Sequence, residues 1–156
     1  MEMKKNNKGF SLVELIIVIA IMAVLMAVLA PQFLRYIERS RLQSDNTAIG
    51  EIANACKVAA TNEAVANELT GGPVTITIPT ATAGTVGGAG TNLAAELNAT
   101  VGNQVLLTSN TYRAAGAAPT IVVSIDAATN VVTVTGVGYV AEVGAAATTA
   151  ANPRVF

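Results

Sequence analysis

Apolar and polar positions divide the 156 residues of this chain into three regimes. Residues 10–30, FSLVELIIVIAIMAVLMAVLA, are apolar on every side, with Glu14 as their one charge. At about 1.5 Å per residue a helix of that length spans roughly 31 Å. The hydrocarbon core of a bilayer is about 30 Å thick. Val and Ile are mildly unfavourable in a helix, but a lone strand in lipid would leave its backbone unpaired. The pattern predicts one membrane-spanning helix over 10–31. Pro31 removes a helical hydrogen bond, which predicts a kink there; a plain membrane-exit boundary is the alternative.

In the second regime, Leu42, Ile49, Ile52, Cys56 and Ala59/Ala60 recur at helical spacing on one face. Arg35, Arg39, Asn46 and Lys57 fall to the side or opposite, while Arg41 and Asp45 interrupt the stripe. The spacing predicts an amphipathic continuation of the helix over 32–68. Cys56 is expected there as a small buried hydrophobe.

The remainder, 69–156, predicts a β-rich head. Residues 74–78 alternate Val/Thr/Ile/Thr/Ile and stop at Pro79. Residues 80–91 hold only Ala, Thr, Gly and Val, the composition of a flexible connector. Asn92 is placed to cap a short helix over 93–98. The clearest hairpin is 120–125 and 131–135 around a turn at 126–130, and 139–143 is a further candidate strand. A sheet laid on the apolar stripe buries both surfaces. The expected fold is α+β: a long N-terminal helix packed on a small antiparallel sheet.

Composition then removes most chemistry. Charged residues are 12% and the net charge is −1, so there is no basic field for nucleic acid. With no His and one Cys, His-based acid–base catalysis, Cys/His zinc sites and an intrachain disulfide are all excluded. No nucleophile–base pair suggests a secreted enzyme. Beyond Asp45 the only Asp is Asp126, which leaves too few oxygen ligands for a calcium loop. No enzyme activity, metal or cofactor is expected. Asn98-Ala99-Thr100 fits the N-glycosylation triplet, a pattern common by chance.

Two features of the N-terminus point to processing and to a partner. Lys4, Lys5 and Lys8 precede the span and argue for a cytoplasmic N-terminus; Arg35, Arg39 and Arg41 beyond it weaken that bias. Signal peptidase would have to cut after Val28-Leu29-Ala30, where Pro31 follows. Within the span Glu14 is costly and marks a function or a partner. Phe10, Ser11, Ile17 and Val18 occupy its helical neighbours, so the chain itself supplies no cation. A partner would come from another chain or from a new amino terminus made nearby.

The run Lys8-Gly9-Phe10-Ser11-Leu12-Val13-Glu14-Leu15, heading a long apolar helix with a proline at Pro31, resembles the processing signal of type IV prepilins and pseudopilins. The resemblance covers residues 1–55. It implies a leader over 1–9, cleavage between Gly9 and Phe10 by a membrane prepilin peptidase, and N-methylation of Phe10. It also implies a partner for Glu14, namely the Phe10 amine of a neighbouring subunit in a helical homopolymer. The implied function is structural: a type IV pilus subunit, with motility, adhesion or DNA uptake following by resemblance only. Its implied partners are copies of itself, the peptidase/methyltransferase, an assembly platform and, before assembly, the cytoplasmic membrane; its destination is a cell-surface filament. A pseudopilin of a secretion or competence machine is the alternative within the family, and a single-span protein with an extracellular binding head the alternative outside it.

Overall fold

The computed structural model describes residues 9–80, 86–88, 91–102, 105–114, 118–126, 128–129, 131–141, 146–149 and 153–156. The leader lysines, part of the 80–91 connector, Ala127 and Asn130 of the expected turn, and residues 142–143 of the last expected strand lie outside them. The elements in chain order are α1 (Leu12–Ala59), α2 (Glu63–Thr70), β1 (Val74–Thr77), β2 (Gly87–Gly88), α3 (Thr91–Val101), α4 (Asn110–Ala114), β3 (Thr120–Ile125), β4 (Val132–Val137) and β5 (Arg154–Val155). The chain is α+β, and it divides into two compact units, one ending at Ile37 and one running from Glu38 to Phe156.

The first unit carries the apolar part of α1. Its large side chains, from Leu12 to Tyr36, are exposed. It is long and apolar enough to cross a membrane. Pro31 lies inside the helix and does not end it.

In the second unit the predicted stripe is the buried face of α1: Leu42, Ile49, Ile52, Ala53 and Cys56 are each at most 1% exposed. They share one hydrophobic cluster with the inward residues of the sheet, Val74 and Ile76 of β1, Ile121 and Val123 of β3, and Val134 of β4. The five-stranded sheet has the order β2-β1-β3-β4-β5, every pair antiparallel. β3 and β4 pair from Thr120↔Val137 to Ile125↔Val132, the expected hairpin with β4 extended to Val137.

The helix does not continue to residue 68. It closes at Ala59, where the N–H groups of Thr61 and Asn62 turn back to the carbonyls of Val58 and Ala59. Asn62 then starts α2, its side-chain oxygen accepting the Ala64 N–H at 3.0 Å. An Asn side chain that can satisfy an orphan N–H favours a new start over continuation; the periodic stripe alone could not show this.

Two smaller expectations also change. Asn92 lies within the first turn of α3, and the cap comes from α2: Glu68 Oε2 accepts the N–H groups of Asn92 at 3.0 Å and Leu93 at 3.3 Å. Tyr139–Ala141 join no strand. Tyr139 instead meets Thr148, accepting its N–H at 2.8 Å and donating to its hydroxyl at 3.0 Å. Gly138 permits that corner with φ +78°, a left-handed conformation that an L side chain resists. β5 adds an edge strand that composition did not reveal; Arg154 lies 4.1 Å from the Tyr139 ring centroid, and the Phe156 ring covers Gly136.

Candidate functional site

The start of α1 is built from three consecutive decisions. Gly9, Phe10 and Ser11 are outside the helix, and a Cβ at Gly9 would meet nothing. Phe10 stands next to it, 82% exposed. Ser11 occupies the N-cap position, its carbonyl accepting the Leu15 N–H at 3.3 Å. Glu14, three residues along, turns back so that its Oε2 accepts the Ser11 N–H at 2.9 Å.

Ser-x-x-Glu before an apolar run is the capping-box pattern, in which the acidic side chain satisfies an orphan donor of the first turn. The negative carboxylate also suits the positive end of the helix dipole. The structure therefore brings Glu14 to Ser11 and leaves Phe10 one residue outside the helix start. The motif Ser11-Leu12-Val13-Glu14 was the sequence signal for this local role, and attention to its membrane cost alone misses it.

A second set of polar residues lies in the head unit. Asp45, which interrupts the apolar stripe, is 4% exposed. Its carboxylate accepts the Thr108 N–H at 3.0 Å, the Thr108 hydroxyl at 3.2 Å and the Ser109 N–H at 2.7 Å. Glu38, one heptad earlier, accepts the N–H and hydroxyl of Thr111 at 2.9 and 3.0 Å. Burial raises the Glu38 pKa, but the N–H groups of Thr111 and Asn110, the Thr111 hydroxyl and the charge of Arg41 together hold it below its ordinary value. Asn46 accepts from the Tyr112 hydroxyl at 2.7 Å and donates to the Val140 carbonyl at 3.1 Å. This polar seam fixes 108–112 and 140 onto α1, while the Oε2 of Glu38 is buried without a hydrogen-bond partner.

The remaining candidates are occupied structurally. Cys56 is fully buried and its thiol is pushed up to about 12 by desolvation, which makes it inert. Asp126 closes its own turn by accepting the N–H groups of Ala128 and Thr129. Asn98 holds Val86 through both its amide groups, N–H to Oδ1 at 3.2 Å and Nδ2 to carbonyl at 3.4 Å, so the glycosylation triplet sits on a helix with its acceptor engaged. Among the described residues, no three His, Cys, Asp or Glu side chains gather as a metal set.

Residues 4–30 match the prokaryotic N-terminal methylation motif. Over 53 residues, 34% of its length, the chain is 42% identical to the type IV major fimbrial protein FimA of Dichelobacter nodosus. Two further FimA sequences of that organism match with the same identity over the same length. The chain spans about a third of the length of these curated relatives. No solved structure matches.

Proposed function

We propose that this chain, which carries the type IV prepilin N-terminal motif and is homologous to FimA through a third of its length, is a structural subunit of a type IV pilus. The observation that carries the reading is the start of α1: an exposed Gly9–Phe10 junction directly ahead of a capped helix whose exposed apolar stretch through Ala30 has Glu14 as its one charge. Such a helix cannot remain in water. It resides first in the membrane, N-terminus cytoplasmic, and afterwards among copies of itself.

Cleavage at Gly9–Phe10 by the prepilin peptidase releases an α-amino group on Phe10, which is then N-methylated and cationic at neutral pH. In a staggered polymer the Glu14 carboxylate of one subunit faces the Phe10 amine of the next. In an apolar core that pairing selects the register, because any other register buries a charge without a partner. Pro31 loosens the helix between its membrane and head portions. The role is structural rather than catalytic. The name borne by the matched relatives, major fimbrial protein, supports a pilus subunit, with a pseudopilin of a secretion or competence machine as the second reading.

Mass spectrometry of filaments sheared from cells tests this directly. The subunit should begin at methylated Phe10, and Gly9→Val should retain the leader and yield no filaments. A start at Pro31, an intact Met1, or normal filaments from Gly9→Val overturns the reading.

A further inference from the structure

Neither the core nor the polar seam uses the side of the sheet turned away from the core. Strand register lines up its side chains in rows that run across the strands. Thr75 of β1 stands opposite Val122 of β3, Val122 opposite Thr135 of β4, and Thr135 opposite Val155 of β5. The next row is Thr77, Thr120 and Val137. Thr75, Thr77 and Val155 are exposed and the others half-buried, while the residues alternating with them, such as Ile76, Ile121 and Val134, enter the core. Strands about 4.8 Å apart thus set hydroxyl and methyl groups in alternation along the first row. The four threonine hydroxyls meet no hydrogen-bond partner among the described residues, and each can both donate and accept. Neither row holds a charge. Arg154, the one charged residue of the five strands, falls on the opposite side from Val155, its guanidinium 4.1 Å from the Tyr139 ring centroid.

We propose that this face binds a neutral, hydroxyl-rich polysaccharide, one chain lying across the strands on Thr75, Val122, Thr135 and Val155. A charged polymer would give up water there and find no counter-charge. A lipid tail would strand the threonine hydroxyls. A protein partner needs about 800 Å² on each side. Four strands about 4.8 Å apart, each showing five residues about 3.4 Å apart, present on the order of 250 Å². A sugar chain suits both elements of the row: its hydroxyls pair with the threonines, and the C–H faces of its rings cover the valine methyls. One such face binds weakly, and many copies set against a repeating ligand multiply it. That multiplication on a filament rests on the proposed homopolymer; the contact itself does not.

The full chain is reconstituted into phosphatidylcholine vesicles, which display many heads without any filament, and the vesicles are spun down with amorphous cellulose. Wild-type vesicles should be retained well above protein-free ones, and raising sodium chloride should not release them. Carboxymethylated cellulose should retain fewer. Thr75→Val with Thr135→Val keeps shape and strand preference but deletes two hydroxyls, and should weaken retention roughly tenfold. Thr77→Glu should abolish it, whereas Lys57→Glu, an added carboxylate on an exposed position of α1, should leave it at the wild-type level. Retention of wild type no higher than that of protein-free vesicles overturns the proposal, as does release by salt. Wild-type retention of the double valine variant overturns the hydroxyl contact, and equal losses from Thr77→Glu and Lys57→Glu overturn the assignment to this face. None of these outcomes involves cleavage at Gly9 or filament assembly, so this proposal and the pilus reading fail separately.

Discussion

The Asp45 carboxylate accepts the backbone N–H of Ser109 at 2.7 Å, joining α1 to a segment 64 residues further along the chain. A carboxylate in an apolar stripe is thus the anchor of a loop, satisfying donors that burial would otherwise strand. Asp45→Ala leaves the N–H groups of Thr108 and Ser109 unpaired, at about 1–3 kcal/mol each. The expected result is a head that melts on the order of 10 °C lower, followed by circular dichroism of the full chain in detergent. Asp45→Asn, which keeps one acceptor oxygen, should lose less. An unchanged melting temperature for Asp45→Ala would show that the segment holds without the anchor.

Glu38 makes the same kind of contact nearer the surface, and its pKa is lowered by it. A carboxyl depressed in the folded state contributes stability that is fully present above its unfolded value, about 4.3, and is lost as pH falls through the lower folded value. Wild-type melting temperature should therefore drop more steeply than that of Glu38→Gln when pH is lowered below about 4. Parallel curves for the two proteins would contradict the contact.

Cys56 should behave as a packing residue. With the thiol fully buried and pushed up to about 12, maleimide should fail to label the folded chain at neutral pH and label it fully in denaturant. Rapid labelling without denaturant would mean that the core around Ile52 and Cys56 opens readily.

How much of this was legible in the sequence depends on which interaction decided each element. Hydrophobic periodicity located the buried face of α1, because Leu42, Ile49, Ile52 and Cys56 meet the core through a regular repeat. Alternating β-branched residues located β1, β3 and β4 for the same reason. Single polar bonds decided the rest. Asn62 ends one helix and begins another, Glu68 caps α3 from α2, and Asp45 holds residues distant in sequence. Such bonds leave no period to detect. The short edges β2 and β5 were equally invisible, since two residues paired on a sheet margin carry no pattern of their own. At the start of α1 the motif was visible through resemblance, but the local duty of Glu14 toward Ser11 emerged only from the 2.9 Å bond.

That bond also sharpens the measurement that matters most. Gln at position 14 can still accept the Ser11 N–H and so keep the helix start, while the charge that would face a neighbouring Phe10 amine is gone. Ala removes both. Expression, cleavage after Gly9 and the fold of the head should survive either change, since the head core includes none of these residues. Leaving a buried amine without its partner costs on the order of 3–5 kcal/mol at each subunit contact. Filaments are sheared from cells expressing wild type, Glu14→Gln or Glu14→Ala, and the sheared and membrane fractions are blotted. Both variants should leave processed subunit in the membrane and give few or no filaments. Wild-type filament yield from Glu14→Gln would contradict the pairing and leave Glu14 as a helix cap alone.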